Sequence, residues 1–259
     1  MNFFEAIVLG LIQGFTEFLP VSSSGHLEIA KSLFGIDPEK SFFFTIAVHG
    51  ATVLSTLVVF RKDIISLITG SIKFRMNDET SYVLKILISM IPVGIAGILL
   101  KKPIESLFNG NLVFIGFMLI VTALLLAISY YMRKGERKIG YLDAIIIGLA
   151  QAVAVIPGIS RSGATISTGL MIGNRKEDLA KFSFLMVILP VIGANILEIM
   201  SGDVTMTQAG TGIIVAGFLS AFISGYIACK WMISLVKNSK LIWFALYCAI
   251  LGLISIIYG

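Results

Sequence analysis

The hydrophobic positions of this chain fall into long unbroken runs, without the polar alternation of a half-buried strand or a soluble helix. Six runs, over residues 42–60, 82–100, 112–131, 182–200, 212–233 and 241–258, approach the roughly 20 residues that a helix needs to cross a bilayer. Two further apolar stretches, 3–34 and 142–172, do not fit. Each is cut near its middle by proline, glycine and serine, and each half is too short to span. Pro20 and Pro157 lack a backbone donor, so the helix should break there and both stretches should form re-entrant helical hairpins. A pair of ordinary short spans in place of each hairpin is the alternative. The expected fold is an all-α integral membrane protein, one membrane domain over residues 1–259, with six transmembrane helices and two re-entrant hairpins.

The two interrupted stretches resemble each other. Gly10-Leu-Ile-Gln13 is echoed by Gly148-Leu-Ala-Gln151, and Ser22, Ser24 and Gly25 recur at the same interval as Ser160, Ser162 and Gly163, although the prolines miss by one place. Each hairpin is followed by three spans. That odd number turns the second half (142–259) upside down relative to the first (1–131), an inverted-topology repeat whose site lies where the broken helices meet.

Lysine and arginine set the orientation. One side receives Arg61, Lys62, Lys73, Arg75, Arg133, Lys134, Arg137, Lys138, Arg175, Lys176, Lys181, Lys230, Lys237 and Lys240, with Lys85 able to snorkel to it. The other receives Lys31, Lys40, Lys101 and Lys102. By the positive-inside rule the first side is cytoplasmic, so both termini lie outside, the first hairpin opens outward and the second rises from the cytoplasm.

Composition agrees with this reading. Hydrophobic residues make up 57% of the chain and charged residues 14%, against about 25% charged in soluble domains. The mean hydropathy of +0.96 comes from the whole length, which excludes a globular domain with a single anchor. No cleavable leader is expected, because Glu5 replaces a basic start and Gln13, Glu17 and Pro20 interrupt the apolar run. Cys229 and Cys248 read as small buried hydrophobes. The net charge of +5 reports topology, and no nucleic-acid partner is expected.

Chemistry concentrates at the helix breaks. Gln13 and Glu17 lie one turn apart on one helix face, and Gly10 and Gly14 beside them would admit a close helix neighbour. After Pro20, Ser22 is a natural N-cap for a helix through His26 that ends near Gly35; after Pro157, Ser160 caps one that ends at Gly173. Two helix N-termini meeting at the midplane would form an anion site, and Arg161 would add a bidentate phosphate clamp. Structural roles compete with these: Arg161 paired with Glu17 to hold the hairpins together, Ser22 and Ser160 as plain caps, His26 at the interface, His49 in the core. Glu198 reads as interfacial. An arginine within the membrane nevertheless points to a functional site by default.

The segments QGFTEFLPVSSSGH and PGISRSGAT resemble, in order and spacing, the two signature motifs of the undecaprenyl-diphosphate phosphatase family, also called the bacitracin-resistance protein family. The resemblance covers essentially the whole chain. It places the first motif, Glu or Gln followed after three residues by Glu, on Gln13 and Glu17, the family's essential serine and histidine on Ser23 and His26, and its essential arginine on Arg161. His49 stands where the family commonly has His or Gln. It implies a plasma-membrane enzyme that regenerates undecaprenyl phosphate for cell-wall synthesis, needs a divalent cation and works at the outer face.

The expected reaction is in-line phosphoryl transfer, in which positioning and charge neutralisation supply most of the catalysis. Glu17, Ser23, His26 and Arg161 form the expected catalytic set, with Gln13, Ser22, Ser24, Ser160, Ser162, Thr165 and His49 binding substrate. Either Ser23 or water attacks, and either Glu17 or His26 takes the proton. Mg²⁺ or Ca²⁺ would bridge Glu17 and the phosphate oxygens, the substrate supplying several ligands. The expected partners are a polyprenyl diphosphate and membrane lipids, with a homodimer also considered. The rival reading is a lipid-phosphate transporter or flippase, which needs the arginine and helix dipoles but not Ser, Glu and His at one tip. A purely structural scaffold is disfavoured by Arg161.

Overall fold

The computed structural model describes residues 1–37, 41–73, 75–108, 110–132, 135–200, 210–237 and 241–259. Lys40, Arg133, Lys134 and Lys240 of the charge pattern lie outside the described residues, as do the side chains of Lys101, Glu198 and Lys237. Among the described residues the regular structure is helical, with one isolated bridge between Arg137 and Asn174. The first half runs α1 (Phe3–Phe18), α2 (Ser23–Phe34), α3 (Phe42–Val59), α4 (Arg61–Ser71), α5 (Asp78–Leu99), α6 (Lys101–Glu105) and α7 (Leu112–Tyr131). The second runs α8 (Tyr141–Val153), α9 (Arg161–Met171), α10 (Lys176–Leu185), α11 (Ile188–Met200), α12 (Thr211–Lys237) and α13 (Leu241–Tyr258).

Among the described residues, five helical stretches are long and apolar enough to cross a membrane: Asp78–Leu99, Leu112–Tyr131, Lys176–Leu197, Thr211–Val236 and Leu241–Tyr258. A sixth is counted if α3 and α4, bent by 73° at Phe60, form one broken span. The chain is a multi-pass membrane protein. Two details depart from the sequence reading. Residues after Phe60, expected as loop, form α4. The span expected over 182–200 begins at Lys176 and is interrupted at Met186 and Val187. Pro190 accounts for that break, because it has no N–H to offer the Met186 carbonyl four residues back.

The four hairpin helices are each shorter than a span, and the prolines explain where they stop. Leu19, before Pro20, is extended (φ −70°, ψ 145°), as a residue preceding proline prefers. Helix α8 stops at Val153, whose carbonyl the Pro157 ring would otherwise strike. Each hairpin's first helix packs on the middle span of the other half, α1 on α12 and α8 on α5, while α7 packs on α13. Glycine permits this closeness. A Cβ on Gly14 would stand 2.0 Å from Ser224 Oγ, and one on Gly148 would stand 2.3 Å from the Ser89 carbonyl oxygen. Since lipid is as apolar as the helices, such backbone-level packing is what drives their association.

Basic residues gather at one end of the bundle. Lys181 pairs with Asp63, Lys85 lies 5.3 Å over the Tyr141 ring, and the Arg137 N–H donates to the Gly173 carbonyl at 3.2 Å. At the opposite ends of α12 and α7, the Phe3 ring meets Gly212 and Gly259 meets Leu112.

Candidate active site

The last turn of α1 places Gln13 and Glu17 on one face, and Gln13 Nε2 donates to Glu17 Oε2 at 2.9 Å. The chain then turns through Ser22, whose φ of 71° makes it the one described non-glycine residue at positive φ. Such a backbone costs about 1–3 kcal/mol and persists only where its surroundings fix it. Here Ser22 is buried, its Oγ accepts the Gly25 N–H at 3.3 Å, and its carbonyl accepts His26 Nδ1–H at 2.7 Å. The turn sets Ser23 as the first residue of α2, with its Oγ donating to Glu17 Oε2 at 2.7 Å.

The second hairpin repeats this cap with different chemistry. Ser160 Oγ accepts the Gly163 N–H at 3.1 Å, and the Ser160 N–H donates to Thr122 Oγ1 at 3.0 Å, fixing the turn to α7. Arg161 is the first residue of α9, the place that Ser23 holds in α2. Its Nη2 donates to Glu17 Oε1 in a partly buried ion pair that joins the hairpins. Ser162 Oγ closes the joint by donating to the Leu19 carbonyl at 3.2 Å. Both N-termini thus converge on one carboxylate whose two oxygens accept from Arg161, Gln13 and Ser23, with His49 Nε2 4.0 Å from Oε2. A buried charge is tolerable when paired and hydrogen-bonded on all sides, as this one is.

Beside the cluster lies a cavity of about 490 Å³. Its polar wall carries Glu17, Ser23, Ser24, His49, Ser160 and Arg161, all anticipated from sequence. Its apolar wall includes Val93, Ile104, Phe108, Val155 and Val191. Such a chamber suits an amphiphile with an anionic head. Its lining comes from α1, α2, α3, α5, α6, α8, α9 and α11, and its α3 and α5 members, Thr45, Ile46, His49 and Val93, lie toward the ends of those helices away from the basic residues.

The remaining anticipated residues stand outside that lining. Gln13 serves Glu17, and Ser22 and Ser162 hold the turns. Thr165 Oγ1 donates to the Arg161 carbonyl at 2.8 Å and lies 2.6 Å from Ser183 Oγ. His26, expected in the catalytic set, is turned to the flank of α13. Its Nδ1–H is held by Ser22, so its Nε2 accepts the Tyr247 hydroxyl at 2.8 Å, and the two rings stack at 5.6 Å.

Sequence reasoning missed Glu28, Lys31, Thr45, Gln151 and Asn195, which also line the cavity. Lys31 had counted only as an outer charge, yet it is buried and donates to Glu28 Oε1 at 3.3 Å and Thr45 Oγ1 at 3.0 Å. The spacing of Ser24, Glu28 and Lys31 along one helix face was the available signal. Among the described residues no group of three or more His, Cys, Asp or Glu side chains is arranged to hold a metal ion.

Comparison with known proteins gives a consistent picture. A family model described as bacitracin resistance protein BacA matches residues 6–254. A protein named undecaprenyl-diphosphatase from Christiangramia forsetii is 52% identical over 261 residues, covering 100% of this chain and 99% of the relative. One of the same name from Parabacteroides distasonis is 54% identical, covering 99% and 98%. Another, from Methanosphaera stadtmanae, is 39% identical over 99% and 98%.

Proposed function

This chain belongs to the bacitracin resistance protein family, and from that premise we propose that it hydrolyses undecaprenyl diphosphate to undecaprenyl phosphate and inorganic phosphate. The observation that carries the reading is the Ser23 hydroxyl, hydrogen-bonded at 2.7 Å to a carboxylate that Arg161 pairs on its other side. A nucleophile within reach of a base, with that base oriented by a third group, is the arrangement of covalent catalysis.

The lipid diphosphate enters with its head against the polar wall and its chain along the apolar one. Arg161 has guanidinium N–H groups beyond the one given to Glu17, and these clamp the terminal phosphoryl group. Free N–H groups at the starts of α2 and α9 add positive potential where charge develops. Ser23 Oγ attacks in line as its proton passes to Glu17, and undecaprenyl phosphate leaves. The departing lipid phosphate takes the proton on from Glu17. Water then attacks the phosphoserine, passing its proton to the freed carboxylate, which returns it to Ser23 Oγ as phosphate is released. Gln13 keeps the carboxylate in place. His26 acts as a positioning residue, bracing the Ser22 carbonyl that sets Ser23.

A divalent cation fits this donor set only as a partner of the substrate. Glu17 is its one carboxylate in the cluster, the hydroxyls of Ser23 and Ser24 are hard oxygen neighbours, and phosphate oxygens must supply the rest, as is usual for Mg²⁺. When bound it would neutralise phosphate charge.

The same reading sets the protein in the cell membrane with its chamber opening outward. Positive-inside orientation puts the basic end of the bundle in the cytoplasm, and the chamber lies toward the other end. It also takes the halves as inverted repeats, supported by the matching Ser22 and Ser160 caps and the exchanged packing of α1 and α8. A transporter would need the anion site but not a hydroxyl hydrogen-bonded to a carboxylate. The test is phosphate release from polyprenyl diphosphate by detergent-purified protein. Release that a chelator suppresses and added Mg²⁺ or Ca²⁺ restores is expected; binding without release would leave only the transporter.

A further inference from the structure

Gln151 sits in the last turn of α8, 1% exposed, among the residues that line the chamber holding Ser160 and Arg161. Neither its Nε2 nor its Oε1 has a hydrogen-bond partner within the protein. A fully buried amide without partners is costly, and an apolar residue of similar size would remove the cost.

The first hairpin explains how this amide comes to be free. Gln13 holds the corresponding place in α1, and four residues on, one helical turn away, stands Glu17, which accepts its Nε2–H at 2.9 Å. Four residues after Gln151 stands Val155, which also lines the chamber and accepts nothing. The serine caps are alike in both hairpins, and Arg161 stands where Ser23 does. The second hairpin thus keeps the amide, discards its internal acceptor and supplies the cation that faces an anionic head.

We propose that Gln151 is a substrate-binding residue, its Nε2–H donating to a non-bridging phosphoryl oxygen of the bound lipid diphosphate. The proposal rests on the chamber being the substrate site. Its Oε1 can in turn accept the hydrogen of a protonated phosphoryl oxygen, so both ends of the amide are satisfied only with substrate present. A neutral donor also adds to anion binding without placing a second cation beside the Glu17–Arg161 pair.

The test compares Gln151→Leu and Gln151→Glu with wild type in three measurements: steady-state kinetics on polyprenyl diphosphate, inhibition by inorganic pyrophosphate, and melting of the ligand-free protein in detergent. Gln151→Leu should lower kcat/KM about 10- to 100-fold, the size of a lost hydrogen bond to a charged group, mainly through KM. Pyrophosphate inhibition should weaken by a similar factor, and the ligand-free protein should melt at or above the wild-type temperature. Gln151→Glu keeps the shape but repels the anion, so it should lose more than the leucine variant. Unchanged KM and pyrophosphate inhibition in both variants would overturn the proposal. So would a leucine variant that melts well below wild type or fails to fold, since the amide would then have been holding the structure. Arg161→Ala serves as the control. If it too leaves pyrophosphate inhibition unchanged, the fault lies in the choice of chamber and not in Gln151 alone.

Discussion

Glu17 accepts hydrogen bonds from both hairpins, and its charge gives each of those donors a purpose. Glu17→Gln keeps the shape but removes the proton acceptor and the partner of Arg161. It should lower turnover about 10²- to 10⁴-fold, the range for losing a positioned base. Gln13→Ala removes one supporting hydrogen bond and should cost about tenfold or less. Phosphate release at saturating Mg²⁺ measures both, and a glutamine variant with most of its activity would contradict the role given to Glu17. The legible residues were those most out of place in an apolar run: Glu17, Ser23 and Arg161 stand at helix breaks and meet at one point. The facing of His26 was not legible. It depends on the Ser22 backbone and on Tyr247, 221 positions away, and neither local spacing nor residue type reveals a contact across that interval.

Among the elements, the hairpins were readable because proline, serine and glycine each mark a step of the turn by their own chemistry. Helix α4 was hidden behind charged residues that resemble a loop, and the break between α10 and α11 behind an unbroken apolar run in which Pro190 went unweighed. The positive φ of Ser22 was also hidden, since capping serines ordinarily adopt extended backbone, as Ser160 does at φ −74°. That difference gives an ordering to measure. Ser22→Ala loses the cap and keeps the strained backbone, and should cost about 1 kcal/mol or more of stability. Ser22→Gly loses the same bond but relaxes the backbone, so it should melt above the alanine variant. Ser22→Val, β-branched at positive φ, should melt lowest. Thermal melting in one detergent gives the order, and an alanine variant more stable than the glycine variant would show that the Ser22 backbone is unstrained.

For the molecule as a whole, the all-helical, multi-pass architecture followed from hydropathy, six spans being expected and five, or six with the bent α3–α4 pair, being found among the described residues, whereas the chamber, built from five or more separate elements, did not. Orientation is open to direct measurement because Cys229 and Cys248 are buried. A membrane-impermeant thiol reagent applied to intact cells should label cysteines placed at the exposed positions Lys102 and Gly259 and miss those at Glu136 and Lys138. The reverse pattern would turn the chamber toward the cytoplasm. The central claim, that this chamber hydrolyses a lipid diphosphate through the cluster joining the two hairpins, stands on Arg161. The most direct test is the initial rate of phosphate release from undecaprenyl diphosphate by purified wild type, Arg161→Ala and Arg161→Lys, each confirmed folded by its melting curve. The alanine variant should lose at least about 100-fold, and lysine should recover only part, because an ammonium cannot make the bidentate contact. A folded alanine variant with wild-type release would contradict the account.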